Sequence, residues 1–301
     1  MSFRMTVFFG FLAVTFAAAA ADKRGSAALP QPYQRLLPLH QQLPPPQPGE
    51  WLAMHPEPGQ SFQEYVGSGP VKPDSRRRTI YIQPLGEFSR PQRQILDLTA
   101  RYMEIYFGLP VKTLEDVPLR IIPRKARRKH PAWGDDQILT THVLEDVLAP
   151  RLPKDAVAMI ALTTSDLWPG EGWNFVFGQA SLAERVGVWS VYRNGDPEES
   201  GDSFRLCLRR TLRTATHETA HMLSMPHCIF YRCNLCGSNH RAEADQHPLW
   251  LCPQCLAKLC WATGVDPARR YQRLAEFFKE NDFKTEQEFC EQSLKLLRDG
   301  A

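Results

Sequence analysis

Short apolar runs along the chain indicate the strands of a sheet. Residues 156–163 form an almost uninterrupted apolar run, which is typical of a central strand that is buried on both faces. Residues 79–84 are rich in β-branched and aromatic side chains and predict a second strand, and residues 117–122 predict a third. A further pair of strands is predicted at residues 174–180 and 186–192.

Longer segments with helical spacing separate and follow these strands. Residues 91–107 and 135–149 predict helices between the first three strands, and Gly108 ends the first of these helices. The longest such pattern, residues 204–223, contains no Gly or Pro. Two more helices are predicted near the end of the chain, at residues 253–263 and 267–281. The alternation of strands and helices predicts an α/β fold with a three-layer unit.

The long helical segment carries residues that suit a catalytic metal ion. His217 and His221 are four residues apart, so on a helix they share one face and can bind one ion. Glu218 lies beside the first of them, where a carboxylate can take a proton from a water that zinc activates. His227 follows six residues after His221, and a turn near Ser224 would deliver it as a third ligand. Three imidazoles with an open fourth position are what a catalytic zinc needs.

The alternative interpretation of this segment is a helix with two surface histidines and a solvated Glu. Only 9 of the 301 residues are His, so a third His at the required offset is improbable by chance. The third His therefore favours the metal site.

Four cysteines after the histidines predict a second metal site. Cys228 and Cys233 form one close pair, Cys252 and Cys255 form another, and a loop rich in Gly, Ser, Asn and Pro separates them. This is the layout of a tetrahedral zinc site whose closed shell of thiolates leaves no room for substrate and contributes to folding. The alternatives are buried free thiols, disulfides or a redox pair, and no thioredoxin-like strand–CxxC–helix pattern supports the last. The other cysteines are expected to be buried thiols: Cys207, Cys236, Cys260 and Cys290.

The first fifty residues differ from the rest of the chain. Arg4 precedes an apolar run at residues 5–16 and an alanine tract at residues 17–21. This pattern predicts a secretory signal peptide at residues 1–21, which is too short for a stable membrane span. A mitochondrial presequence is the weaker alternative, because the segment lacks an Arg-rich amphipathic face. Residues 22–50 are rich in Pro and Gln and predict an extended linker with no core of its own.

The composition of the chain is that of an ordinary globular protein. Hydrophobic residues make up 43% of the 301 residues and charged residues 23%. The net charge of +3 is too small to argue for a nucleic-acid partner. The basic runs at residues 76–78 and 124–129 are interpreted as solvated loops.

The combined His and Cys pattern resembles that of the archaemetzincins, a zinc metallopeptidase family of the metzincin clan. The resemblance covers roughly residues 51–274 and includes these further segments: 51–56 (WLAMHP), 80–83 (IYIQ), 173–182 (WNFVFGQASL), 237–240 (GSNH), 243–245 (EAD) and 248–253 (PLWLCP). Two positions depart from the family pattern. Ser224 replaces a Gly that ends the helix in a left-handed turn, where a side chain costs about 1 kcal/mol. Leu235 replaces a Met beneath the metal, and we expect it to keep an apolar floor there.

The resemblance implies a metzincin-like architecture with two subdomains. The upper α/β subdomain, residues 51–227, would contain a mixed sheet and the active-site helix. The lower subdomain, residues 228–301, would contain the four-cysteine structural zinc. The resemblance also implies that the strand near residues 175–180 is an exposed edge to which an extended peptide can add. For Phe175 and Phe177 themselves, core packing is the favoured interpretation.

Two functions are consistent with these features. The first is a zinc metallopeptidase, an aminopeptidase or an endopeptidase, with one catalytic and one structural zinc per chain and Glu218 as general base and acid. The second is a weakly active or inactive zinc-binding scaffold that recognises peptides by edge pairing. Glu218 favours the enzyme, because a scaffold has no need of it. A peptide is the expected partner, and neither nucleic acid nor a stable membrane span is expected. The signal-like segment predicts the secretory pathway, whereas the resemblance implies the cytoplasm.

Overall fold

A computed structural model of the chain describes residues 29–299. The predicted signal peptide at residues 1–21 lies outside the described residues. In chain order, the strands are β1 (Thr79–Leu85), β2 (Val111–Thr113), β3 (Arg127–Lys129), β4 (Asp136–Leu139), β5 (Ala156–Thr163), β6 (Asp166–Trp168), β7 (Gly178–Ser181) and β8 (Val186–Ser190).

The helices lie between and after these strands. In chain order, they are α1 (Gln31–Gln34), α2 (Trp51–Met54), α3 (Phe62–Gly67), α4 (Arg90–Phe107), α5 (Thr140–His142, continued by a π-helix at Val143–Leu148), α6 (Gly201–Met222), α7 (Arg241–Gln246), α8 (Pro253–Thr263), α9 (Pro267–Glu280) and α10 (Lys284–Arg298). Short 3-10 helices occur at Leu37–Leu39, Leu119–Ile121, Arg124–Ala126, Ala149–Arg151 and Tyr192–Asn194.

A five-stranded mixed sheet has the most apolar strand at its centre. The strand order is β2-β1-β5-β8-β7, and all pairs are parallel except β7 with β8. Every residue of β5 is buried, as its apolar run predicts. Strand β7 lies at the end of the sheet, where the resemblance implied an edge. A smaller sheet of order β3-β4-β6 lies beside it.

Both faces of the large sheet are covered, which confirms the three-layer α/β fold. Alternate residues of β1 and β5 point to opposite faces. Ile80, Ile82 and Ile160 belong to the cluster that includes the buried faces of α4 and α6. Tyr81 and Met159 belong to the cluster that includes the π-helix.

The predicted boundaries of α4 are confirmed by its caps. Ser89 accepts the N–H of Gln92, while the Gln92 side chain accepts the N–H of Ser89. Gly108 ends the helix with a left-handed backbone of φ 64°. The predictions at residues 204–223, 253–263 and 267–281 correspond closely to α6, α8 and α9.

Two predicted elements are wrong. Residues 117–122 form no strand, because Pro118 lacks a backbone N–H and a 3-10 helix follows it, and β2 at Val111–Thr113 takes the place beside β1. The predicted helix at residues 135–149 starts only at Thr140, since Asp136–Leu139 pairs with two strands as β4. Helices α7 and α10 were not predicted from the sequence.

The described part of the Pro-rich segment, residues 29–50, also differs from the expected extended linker. Leu29 is 3% exposed and Leu36 is fully buried in the main core. The N–H of Leu43 donates to the carbonyl of Phe230 at 3.0 Å. Burial of these leucines stabilises the segment against the folded domain. The division into subdomains at residues 227 and 228 stays a prediction.

Among the helices of residues 29–299, none combines the length and the apolar character that a membrane crossing requires.

The docked segment generates a prediction about pH. His40 contacts Phe289 and Tyr231 edge to face, and burial lowers the pKa of its imidazole to about 4. In the unfolded chain this imidazole binds a proton near pH 6.5. The stability that the neutral His40 contributes is therefore fully present above that pH and is lost as the pH falls towards 4. We expect His40→Phe to reduce the slope of unfolding free energy against pH in this window by up to about 1.4 kcal/mol per pH unit. Denaturant unfolding between pH 4.5 and 7 measures both slopes, and equal slopes would contradict the burial of a neutral His40.

Candidate metal centres and cleft

Helix α6 places two imidazoles side by side. His217 and His221 lie one turn apart on the helix, and their rings meet at 90° with centroids 4.6 Å apart. Their Nε2 atoms are 3.0 Å apart. Two nitrogens on one tetrahedral zinc lie about 3.3 Å apart for zinc–nitrogen bonds near 2.0 Å. The pair therefore has the spacing of ligands to one ion.

A tight turn at the end of α6 returns the chain towards these rings. The N–H of Met225 donates to the carbonyl of Ala220, and the N–H of Ser224 donates to that of His221. This is the Schellman pattern, and Ser224 takes its left-handed position with φ 62°. The Ser224 hydroxyl accepts the N–H of Val71 at 3.0 Å. The turn thus forms with Ser, as expected, and gains a hydrogen bond that Gly could not make.

His227 completes a cluster of three imidazoles after this turn. The metal-binding nitrogens of His217, His221 and His227 all lie within 4.8 Å of one another. Burial and the neighbouring imidazoles and Arg213 lower the pKa of His217 well below its ordinary value, and burial likewise lowers that of His227. Low pKa values keep the rings neutral, which is the form that binds a metal.

Backbone carbonyls orient the two imidazoles of the helix. The Nδ1–H of His217 donates to the carbonyl of Asn234 at 2.9 Å, and that of His221 donates to the carbonyl of Met225 at 2.6 Å. With the proton on Nδ1, each ring leaves its Nε2 lone pair free for a metal. Both carbonyls come from the segment that follows α6, so that segment sets the direction of the ligands.

A carboxylate from a distant part of the chain orients the third ligand. Glu57 accepts a hydrogen bond from Nδ1 of His227 at 2.7 Å and another from the Trp51 indole at 2.5 Å. The Trp51 and His227 rings meet edge to face, 5.1 Å between centroids. Glu243, which is buried, holds Trp51 by accepting its backbone N–H at 2.9 Å. A Cβ at Gly237 would lie 2.4 Å from the Trp51 ring, so Gly at this position permits the indole to dock.

Sequence reasoning missed Glu57 and Trp51 as parts of the site. The segment 51–56 was noted only as part of the family resemblance. Nothing in the local spacing connects Glu57 with His227, because the two are 170 residues apart.

Glu218 borders the space on both sides of the imidazoles. It lines one cavity with His217 and His227 and a second with His221. Burial raises the pKa of its carboxyl. A Cβ at Gly178 of β7 would lie 3.4 Å from Cγ of Glu218, so the helix and the edge strand approach closely here. Glu218 therefore lies between α6 and the edge strand and lines both cavities.

The two cavities differ in character. The first, of about 450 Å³, has aromatic and cationic walls and is called the aromatic cavity; its lining includes Trp51, Trp173, Phe175, Phe177, Arg213 and Arg241. The second, also of about 450 Å³, is called the apolar cavity; its lining includes Ala180, Leu182, Met225 and Pro226. Phe175 and Phe177 are half-buried in the wall of the aromatic cavity, so core packing was the wrong interpretation for them.

The four predicted cysteines form a second cluster. The sulfurs of Cys228, Cys233, Cys252 and Cys255 all lie within 4.8 Å of one another, and all four residues are buried. The sulfurs of Cys228 and Cys252 are 3.6 Å apart. Sulfurs on one tetrahedral zinc lie about 3.8 Å apart for zinc–sulfur bonds near 2.3 Å. The donor set and the spacing therefore fit a structural zinc.

The charge of this cluster also suits a cation. Hydrogen bonds from the neighbouring thiols hold the pKa of Cys228 well below its ordinary value. Burial raises the pKa of Cys252, and the Cys228 sulfur raises that of Cys255. A divalent ion bound by the four sulfurs would lower the pKa of each thiol and favour the thiolates.

The other cysteines are buried free thiols, as expected: Cys207, Cys236, Cys260 and Cys290. Leu235 is fully buried, in agreement with an apolar role, and its carbonyl accepts the N–H of Cys228 at 2.9 Å.

The chain is similar in sequence to known proteins. Residues 141–260 match Peptidase family M54. Archaemetzincin-2 of Homo sapiens is 33% identical over 270 residues, which span 79% of this chain and 74% of the relative. Archaemetzincin-1 of Homo sapiens is 31% identical over 257 residues, which span 75% of this chain and 51% of the relative. The crystal structure of an archaemetzincin from Methanopyrus kandleri is similar to 64% of this chain and 99% of its own, with 24% identity and a TM-score of 0.49.

The contact between Glu57 and His227 generates a prediction about metal retention. A carboxylate on the outer nitrogen makes a ligating imidazole more basic, so Glu57→Gln should weaken zinc binding at the histidines about ten- to a hundredfold. Glu50→Gln is the matched control, because Glu50 accepts only a local N–H from Gln47 in the same segment. Competition with a chelator measures the affinity, and the thiolate absorption of a cobalt-substituted protein reports the cysteine site separately. Equal affinities in the two variants would rule out a positioning role for Glu57.

Proposed function

The chain belongs to the archaemetzincins, peptidase family M54, and we propose that this zinc metallopeptidase hydrolyses peptide bonds with Glu218 as general base and acid. The observation that carries the proposal is the position of Glu218. Its carboxylate lies beside three converging imidazoles and borders both cavities, so it faces any chain that passes from one cavity to the other.

The histidines are the groups that would hold the catalytic zinc. Zinc bound there would supply Lewis acidity, which lowers the pKa of a water and polarises the scissile carbonyl. The chain orients all three rings from their outer nitrogens, through Asn234, Met225 and Glu57, so the donor atoms are preorganised.

Glu218 would move the proton. It takes a proton from the attacking water and returns it to the amine that leaves, which are the two proton transfers that amide hydrolysis requires. It is separate from the three imidazoles whose nitrogens lie within 4.8 Å of one another and would bind the zinc.

Strand β7 would bind the peptide. Among the described residues it pairs only with β8, so its outer edge offers backbone N–H and C=O groups to an extended peptide. The aromatic cavity and the apolar cavity lie at either side of the histidines and would receive side chains on the two sides of the scissile bond.

Removing the Glu218 carboxylate tests the role of this residue. Glu218→Gln should retain zinc, because Glu218 is no ligand, and should lose turnover by a factor on the order of a hundred to ten thousand. Glu184→Gln, in the turn between β7 and β8, is the matched control and should retain activity. Metal analysis measures the zinc that each variant retains, and hydrolysis of a mixed peptide library measures its turnover. Wild-type rates in Glu218→Gln would refute the mechanism, and a wild type that holds zinc but cleaves nothing would favour the scaffold.

We also propose two zinc ions per chain, with separate roles. Cys255→Ser should lose the thiolate-bound zinc and lower the free energy of unfolding, because a closed thiolate site couples metal binding to folding. Cys290→Ser is the control, since Cys290 is equally buried but lies outside the cluster. His221→Ala should lose the other zinc and the activity while keeping most of the stability. Elemental analysis and denaturant unfolding check these outcomes, and one zinc in both wild type and Cys255→Ser would refute the second site.

A further inference from the structure

A buried guanidinium on the active-site helix has no carboxylate partner within residues 29–299. Arg213 lies one turn before His217 on α6 and is 8% exposed. One terminal nitrogen, Nη2, donates to the carbonyl of Cys236 at 2.9 Å and to the Ser238 hydroxyl at 3.3 Å. Its Nε is buried and makes no hydrogen bond. These acceptors are neutral, and the carboxylate that acts on the charge of Arg213 is Glu218, which lines the same cavity. A buried charge without an ion-pair partner is costly.

Two neighbouring arginines on the same helix have carboxylate partners. Arg209 pairs with Glu286 at 3.3 Å, and Arg210 pairs with Asp245 at 2.6 Å. Arg270 is buried without a carboxylate partner as well, but it stacks on the Tyr106 ring and borders neither of the two cavities at the histidines. Arg213 combines an unpaired charge with a place in the wall of the aromatic cavity.

A second guanidinium borders the same cavity. The Arg241 guanidinium lies 3.9 Å from the Phe177 ring centroid. Its Nη2 donates to the carbonyl of Arg193 at 3.1 Å and to the side-chain oxygen of Asn194 at 3.0 Å, both neutral, and its Nε is buried and unbonded. Glu218 is the only acidic residue in the lining of this cavity, and the apolar cavity has no basic residue other than the ligand His221.

We propose that Arg213 and Arg241 bind a carboxylate of the substrate, so that the aromatic cavity selects peptides that carry an acidic group there. The proposal rests on the peptidase function and names the substrate class of the same site. A guanidinium is planar and presents paired N–H groups that match a carboxylate. Both an Asp or Glu side chain and a peptide C-terminus offer this group. The apolar cavity would receive an uncharged side chain on the other side of the scissile bond.

Pairs of peptides that differ by one charge test the proposal. One series exchanges Glu for Gln at each position around the cleaved bond, and another compares a free C-terminus with its amide. In one of the two series, the wild-type kcat/KM should be about tenfold higher for the peptide with the carboxylate than for its neutral partner. This is the usual contribution of a charge-assisted hydrogen bond. Arg213→Gln should lower kcat/KM for that peptide about tenfold more than for its neutral partner. Arg205→Gln, an exposed arginine of the same helix paired with Asp202, should leave the preference unchanged.

A binding measurement separates this proposal from the peptidase function. Calorimetry of Glu218→Gln with the same peptide pairs reports affinity without turnover. Equal binding of charged and neutral partners at every position, and of acid and amide, would overturn the carboxylate site. A retained preference in binding, together with a wild type that cleaves nothing, would support the carboxylate site and refute only the hydrolysis. Arg241 lies outside the active-site helix, so Arg241→Gln tests the site independently if Arg213→Gln fails to fold. An unchanged preference for the carboxylate peptide in Arg241→Gln would overturn the proposal that the two arginines act together.

Discussion

The site depends on one constraint, which is that three neutral imidazoles must converge on the same point. A ring can do so only if its outer nitrogen is held, because an imidazole on a free side chain rotates. In this chain two rings are held by carbonyls of the segment after α6, and the third by Glu57. The Schellman turn at Ser224 places the carbonyl of Met225, and the docking of Trp51 on the buried Glu243 places Glu57.

The two clusters are joined through the backbone as well as by proximity. Cys228 follows His227 directly, and Cys233 directly precedes Asn234, whose carbonyl holds His217. Zinc bound by the four cysteines would fix the backbone at both of these points. It would thereby help to position His227 and the carbonyl that orients His217.

The local parts of the structure could be predicted from the sequence, and the parts that depend on distant contacts could not. His217 and His221 share a helix, so their spacing predicts that the two imidazoles lie side by side, and the boundaries of α4 follow from Ser89 and Gly108. The predicted strand at residues 117–122 failed because pattern alone gave too little weight to Pro118. The role of Glu57 and the exposure of Phe175 follow from tertiary packing across the cleft, which periodicity does not encode. The unpaired charge of Arg213 is likewise visible only when every neighbour is known.

The separation of Glu57 from His227 also has a consequence for the order in which the protein is made. The two partners are 170 residues apart, and Cys252 and Cys255 come later still. At ribosomal speeds, roughly ten to thirty seconds pass between synthesis of the carboxylate and synthesis of the imidazole that it orients. During this interval Trp51 and Glu57 have no docking surface, because Gly237 and Glu243 have not yet been translated. The cleft is therefore assembled only after Glu243 has left the ribosome, and until then the nascent chain carries the helix motif without the groups that orient its imidazoles.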